Sequence, residues 1–256
     1  MSAETQNLLL ATLSAGPVGV GDRIGALSAA NLLRAVRADG VIVKPDVPIV
    51  PIDSSFQNSA QAADAPMIAS TYTDFGGLTG RYIFAYPQGQ NTTARFRLAD
   101  LGANGLFYLF DHFAGSGAVV DAGEALNLPI SGSALYLIAA PLGPSEMAVL
   151  GDTGQFVTLG KKRITRLADD GTVELTVAFA AGETARTIQV YSPAAPRVRI
   201  QNGSFAAAKF DADSGLFSVT LASGSDGSAG IRLFHGKASE ARRHPGAVFT
   251  APRNLQ

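Results

Sequence analysis

Lys209-Phe210-Asp211-Ala212-Asp213-Ser214-Gly215-Leu216-Phe217-Ser218-Val219-Thr220 holds two alternating runs around a turn that ends in glycine. Alternation with period two on both sides of a short turn predicts an antiparallel hairpin. The same rhythm runs back along the chain. Thr172–Phe179 alternates clearly, and Arg81–Tyr86, Thr93–Leu98, Gly105–Phe110, Ala134–Ala139, Thr187–Tyr191 and Arg197–Ile200 are further strand candidates. Turn signals every 8 to 12 residues or so are the spacing of a β-sandwich. The β-rich region, about 67 to 235, exceeds one seven-stranded sandwich of roughly 100 residues. The expected fold is therefore mainly β: an antiparallel β-sandwich, one enlarged or two consecutive, with a break near Gly143-Pro144-Ser145 dividing 67–144 from 145–235.

Composition agrees. Of the 256 residues 46% are hydrophobic and only 16% charged, with 28 Gly and 13 Pro. Long solvated helices need more charge than this, whereas short strands and tight turns do not. The net charge of −1 gives no overall attraction to nucleic acid or an anionic membrane, so neither is expected as a partner. The absence of cysteine excludes disulfides, thiolate catalysis and cysteine-ligated zinc. His112, His235 and His244 are the only histidines, a thin supply for a metal site, and neither metal nor cofactor is implied. The N-terminus lacks the positive start of a signal peptide, and a cytoplasmic location is the default expectation.

Residues 1–43 have a different rhythm. Leu8, Leu9, Ala11 and Thr12 suggest a short helix, and Gly16–Gly21 a short buried strand running into a loop. Ser28 is a plausible N-cap for a helix over Ala29–Ala38, with Leu32, Leu33 and Val36 on one stripe and Gly40 as its stop. Pro45, Pro48 and Pro51 then impose an extended path on a connector spanning 44–66. Residues 236–256 lose the alternation and are expected to form a surface tail.

Four groupings bear on chemistry. Gly19-Val20-Gly21-Asp22-Arg23-Ile24-Gly25 approximates a dinucleotide loop but lacks the second parallel strand that such a site requires. Asp211-Ala212-Asp213-Ser214-Gly215 puts its glycine one place too early for a calcium loop, so a hairpin turn is the simpler reading. Asp111 and His112 are adjacent, and neighbours on a strand point to opposite faces, so a structural histidine is favoured over an acid/base couple. Lys161, Lys162, Arg163 and Arg166 form the densest basic patch, read as a solvated edge. With no Trp, only the six tyrosines are candidates for sugar platforms with a polar tip, and most lie in core-like runs.

Ser14–Gly25, followed by Asn31–Gly40, resembles the end of the catalytic barrel in alpha-galactosidase and raffinose-synthase-like glycoside hydrolases. There a Gly-Gly-Pro run leads through a strand to a Ser-Asp-x-x-Gly-type loop, a Leu-rich helix and an Asp-Gly turn. Here Ala15-Gly16-Pro17, Val20–Gly25 and Asp39-Gly40 stand in those places. The resemblance covers about forty residues and implies the last unit of a (β/α)₈ barrel followed by a C-terminal β region. The catalytic carboxylates of such enzymes lie on earlier barrel strands. Asp22 and Arg23 are then the substrate-adjacent candidates, with no catalytic role transferred to either. The expected function is a non-catalytic C-terminal region flanking a sugar-cleaving barrel. The alternatives are a stand-alone carbohydrate-binding β-sandwich and a structural or assembly protein. Carbohydrate is the expected ligand, and self-association through residues 1–43 the expected assembly.

Overall fold

The computed structural model describes residues 3–19, 21, 23 and 28–235. The fold is mainly β and every strand pairing is antiparallel. A six-stranded sheet has the order β1-β2-β3-β8-β5-β6, built from Val50–Pro51, Met67–Phe75, Leu78–Tyr86, Leu135–Pro141, Leu106–Asp111 and Ser116–Asp121. Its central strands are buried on both faces, as in Tyr82, Ile83, Phe84 and Ala85 of β3. One face meets the paired strands β4 (Thr93–Phe96) and β7 (Leu126–Pro129) through Ile83, Leu109, Leu137, Phe96 and Leu128. The other face presents Tyr82, Phe84, Tyr108, Phe110, Tyr136 and Ile138 to Leu8, Leu9 and Leu13 of helix α1 (Ala3–Leu13).

A second pair of sheets follows. One has the order β10-β11-β16-β13, from Ile164–Asp169, Val173–Ala178, Ser228–Phe234 and Arg197–Asn202. It faces a sheet of order β14-β15-β12-β9, from Ser204–Asp211, Leu216–Ala222, Ala185–Tyr191 and Ala148–Gly151. Val173, Leu175 and Val177 alternate inward against Ile188, Val190, Phe217, Val219 and Leu221. The hairpin expected at 209–220 is β14–β15, with Lys209 opposite Ser218 and Phe210 opposite Phe217. Strand β9 joins the two halves. Ala148 and Leu150 enter the α1 core, whereas Val149 enters the second sandwich, because successive side chains of a strand point to opposite faces.

The N-terminal quarter departs from its sequence expectations. The described residues of Gly16–Gly21 form no strand, and α2 is only Ala29–Leu32, capped by the Ser28 side chain on Asn31 N–H. The expected helix to Ala38 ends early because the chain folds back: Val36 bridges Ile42, and Arg37 N–H donates to Val41 C=O. Within the connector, Asp53–Gln61 forms a helix, α3, once the prolines have passed. Its Ser55 is buried and accepts Ile68 N–H at 3.0 Å. The tail 236–256 and most of the dinucleotide-like loop lie outside the described residues.

Candidate functional site

A cavity of about 340 Å³ is lined by Ala30, Leu33, Arg34, His112, Phe113, Thr153, Gly154 and Arg186. Four parts of the chain meet there: the α2 segment, the turn after β5, the loop after β9, and β12. Backbone and side-chain hydrogen bonds fix the seam. Phe156 N–H donates to Arg34 C=O at 2.7 Å, Gln155 Nε2 to Val36 C=O at 3.2 Å, and Arg37 to Lys162 C=O at 2.8 Å.

On one wall is an aromatic cage. The His112 ring lies edge-on to Phe113 at 5.0 Å and to Tyr136 at 5.4 Å. The Tyr136 hydroxyl donates to Phe156 C=O at 2.6 Å, which locks the cage floor. His112 Nδ1 is shielded from solvent and has no hydrogen-bond partner among the described residues. Burial first, and the positive charge of Arg34 second, push the His112 pKa down to about 4, so the ring is neutral at pH 7. Arg34 sits over the Phe113 ring, 5.9 Å from its centroid. The adjacent Asp111 does not engage His112. Its carboxylate accepts Phe113 N–H and Ala114 N–H, which shapes the turn.

Beneath the other wall lies a buried charge network. Arg163 has no solvent exposure. It donates to Glu183 at 2.6 and 2.8 Å and to Ala178 C=O at 2.6 Å, and its Nε lies 3.3 Å from Asp152 Oδ2. Arg186 reaches Glu183 and stands 3.8 Å from Asp152. Burial alone raises the Glu183 pKa, but hydrogen bonds from Arg163, Ala180 N–H and Arg186 outweigh it and hold the value at about 2. Burial raises the pKa of Asp152, against the pull of Arg163 and Arg186. Two guanidiniums thus face two carboxylates, and the network is balanced. Arg34 is different: among the described residues its guanidinium has no carboxylate partner, only the Phe113 ring.

Of the expected site residues, Arg23 is exposed and lines no part of this cavity, and Asp22 lies outside the described residues. The basic patch divides. Lys161 pairs with Asp46, Arg166 pairs with Glu174, and Arg163 is the buried hub instead of a solvated edge. The turn at Asp211 is a hairpin turn, its carboxylate accepting Asp213 N–H. Among the described residues no cluster of His, Asp or Glu has the arrangement of a metal site. Tyr82, Tyr108, Tyr136 and Tyr191 are core residues, and Tyr72 and Tyr86 are half-buried, so no tyrosine forms an open platform. One signal for the missed site was present. Arg186 shares the inward parity of Ile188 and Val190, and a charge at an inward position demands a partner. No family model matches the chain, and no curated protein matches it.

Proposed function

We propose that this chain is a non-catalytic β-sandwich region of a glycoside hydrolase-like protein, one that supports a sugar-cleaving barrel. The observation that carries this reading is the state of the two carboxylates beside the cavity. Glycoside cleavage needs two carboxyl groups facing one cleft, one of them able to hold and release a proton near neutral pH. Glu183 and Asp152 instead serve as counter-ions to Arg163 and Arg186. The sequence resemblance of Ser14–Gly25 and Asn31–Gly40 to the end of a barrel supports the rest, while the described residues of Gly16–Gly21 form no strand. Leu33, 40% exposed, offers apolar surface on that N-terminal unit for a neighbouring barrel element or a second copy of the chain.

An antibody blot of cells from the source tests the proposal. A band well above 26.4 kDa is expected. A band at 26.4 kDa alone overturns it. So does hydrolysis of an aryl glycoside by the purified chain that disappears in Asp152→Asn or Glu183→Gln while the fold is retained.

A second reading, a module that binds sugar, is favoured by the cavity itself. It is large enough for one sugar ring, and Phe113, 37% exposed, stands at its wall.

A further inference from the structure

We infer that the cavity between Arg34, His112 and Arg186 is a binding site for a small monocarboxylate, such as a single sugar acid. The inference is argued from the lining of the cavity and not from the reading above, although Ala30, Leu33 and Arg34 belong to the segment read there as a barrel end.

Charge sets the sign and the number. Arg163 and Arg186 are matched by Asp152 and Glu183, which leaves Arg34 as the one cation at the cavity without a counter-ion among the described residues. The cost of taking an anion out of water rises with the square of its charge while its attraction to one cation rises only in proportion, so a single uncompensated positive charge in a partly enclosed space favours a monoanion over a dianion. The planar fork of arginine suits a carboxylate, which it holds through two parallel hydrogen bonds.

The remaining lining fits the rest of such a ligand. His112 lines the cavity with a neutral ring whose Nδ1 is shielded from solvent and unpaired among the described residues, so the ring adds no charge that would compete for the anion. Thr153 also lines the cavity, is partly exposed and carries a hydroxyl. Leu33 and Phe113 give an apolar side against which the flat face of a ring can lie. The volume, about 340 Å³, is at the lower end of small-molecule pockets and suits a monosaccharide.

Nuclear magnetic resonance titration of the full chain tests the site. The chain has three histidines, so the His112 ring signals can be assigned by substitution of the others. Glucuronate is the probe, methyl glucoside its neutral counterpart, and inorganic phosphate at pH 8 the dianion. Glucuronate is expected to shift the His112 signals saturably, methyl glucoside to leave them in place, and phosphate to bind at least fivefold more weakly. Arg34→Gln should weaken glucuronate at least tenfold. That variant leaves the backbone bond from Phe156 to Arg34 intact and breaks no ion pair, so its fold should be unchanged by circular dichroism. Absence of a saturable His112 shift overturns the inference. Equal affinity in Arg34→Gln, equal binding of methyl glucoside, or tighter binding of phosphate does so as well. None of these outcomes bears on the size of the native product.

Discussion

Replacing Arg163 with methionine should remove about 4 kcal/mol of stability. The side chain is fully buried, and methionine fills most of its volume, so the loss is chiefly electrostatic in origin. Arg163 supplies two of the hydrogen bonds to Glu183, one to Ala178 C=O, and the nearer positive charge to Asp152. Without it, Glu183 keeps Arg186 and Ala180 N–H, while Asp152 keeps only Arg186 at 3.8 Å as an ionic partner. Removing one partner of a buried pair costs about 3 to 5 kcal/mol, chiefly because a charge is stranded. Urea unfolding at pH 7, followed by circular dichroism, measures the loss. Arg166→Met is the control. Its pair with Glu174 is 65% exposed on the arginine side, and such a pair is worth no more than about 1 kcal/mol. If stranded charge is the cause, adding Asp152→Asn to the Arg163→Met background should restore roughly half the loss. A cost below about 1 kcal/mol for Arg163→Met, or no recovery on neutralising Asp152, refutes the argument.

Three further outcomes follow from packing, backbone and titration. Phe217→Ala and Phe179→Ala, both in the second core, should each cost roughly 3 to 5 kcal/mol in urea unfolding. Gly203→Ala should be destabilising by more than about 1 kcal/mol: the residue has φ of +78°, and an added Cβ would stand 2.5 Å from Ala222 C=O. His112 is held neutral with a pKa of about 4 against an ordinary 6.5, so the unfolded chain binds its proton first as pH falls. Its contribution, up to about 3 kcal/mol, is complete above pH 6.5 and lost as pH drops through 4; His112→Phe should flatten the stability profile in that window. Glu183, held at about 2 against 4.5, adds its own loss only below pH 4.5.

Much of the fold was legible in the sequence, because period-two alternation records burial on one side of a strand. β11 and β15 are the clearest cases, with Val173, Leu175 and Val177 and then Phe217, Val219 and Leu221 all inward. Strands buried on both faces carry a weaker signal, and β9, Ala148–Gly151, is one that the alternation did not reveal. Helix α3 was hidden by the prolines before it, which govern only their own neighbourhood. The cavity was illegible for a different reason. Arg34, His112, Thr153 and Arg186 come from four separated segments, and nothing local in any of them records the others. The burial of Arg163 was hidden in the same way, since Lys161 and Lys162 beside it are exposed.

The seating of α1 has a consequence for how the molecule must be made. Leu8, Leu9 and Leu13 lie in one cluster with Tyr136, Leu150 and Phe156, and the neighbouring segment is tied down by the bond from Phe156 to Arg34. On a ribosome the helix is therefore completed well over a hundred residues before the surface that receives it exists. Until synthesis passes about residue 160 its three leucines have no native place to go, and they are exposed to chaperones and to premature contacts with other nascent chains. A protein cut at the proline connector, where the composition changes, would lose a piece of its first core. The apparent border in the sequence is therefore a poor place to divide the chain.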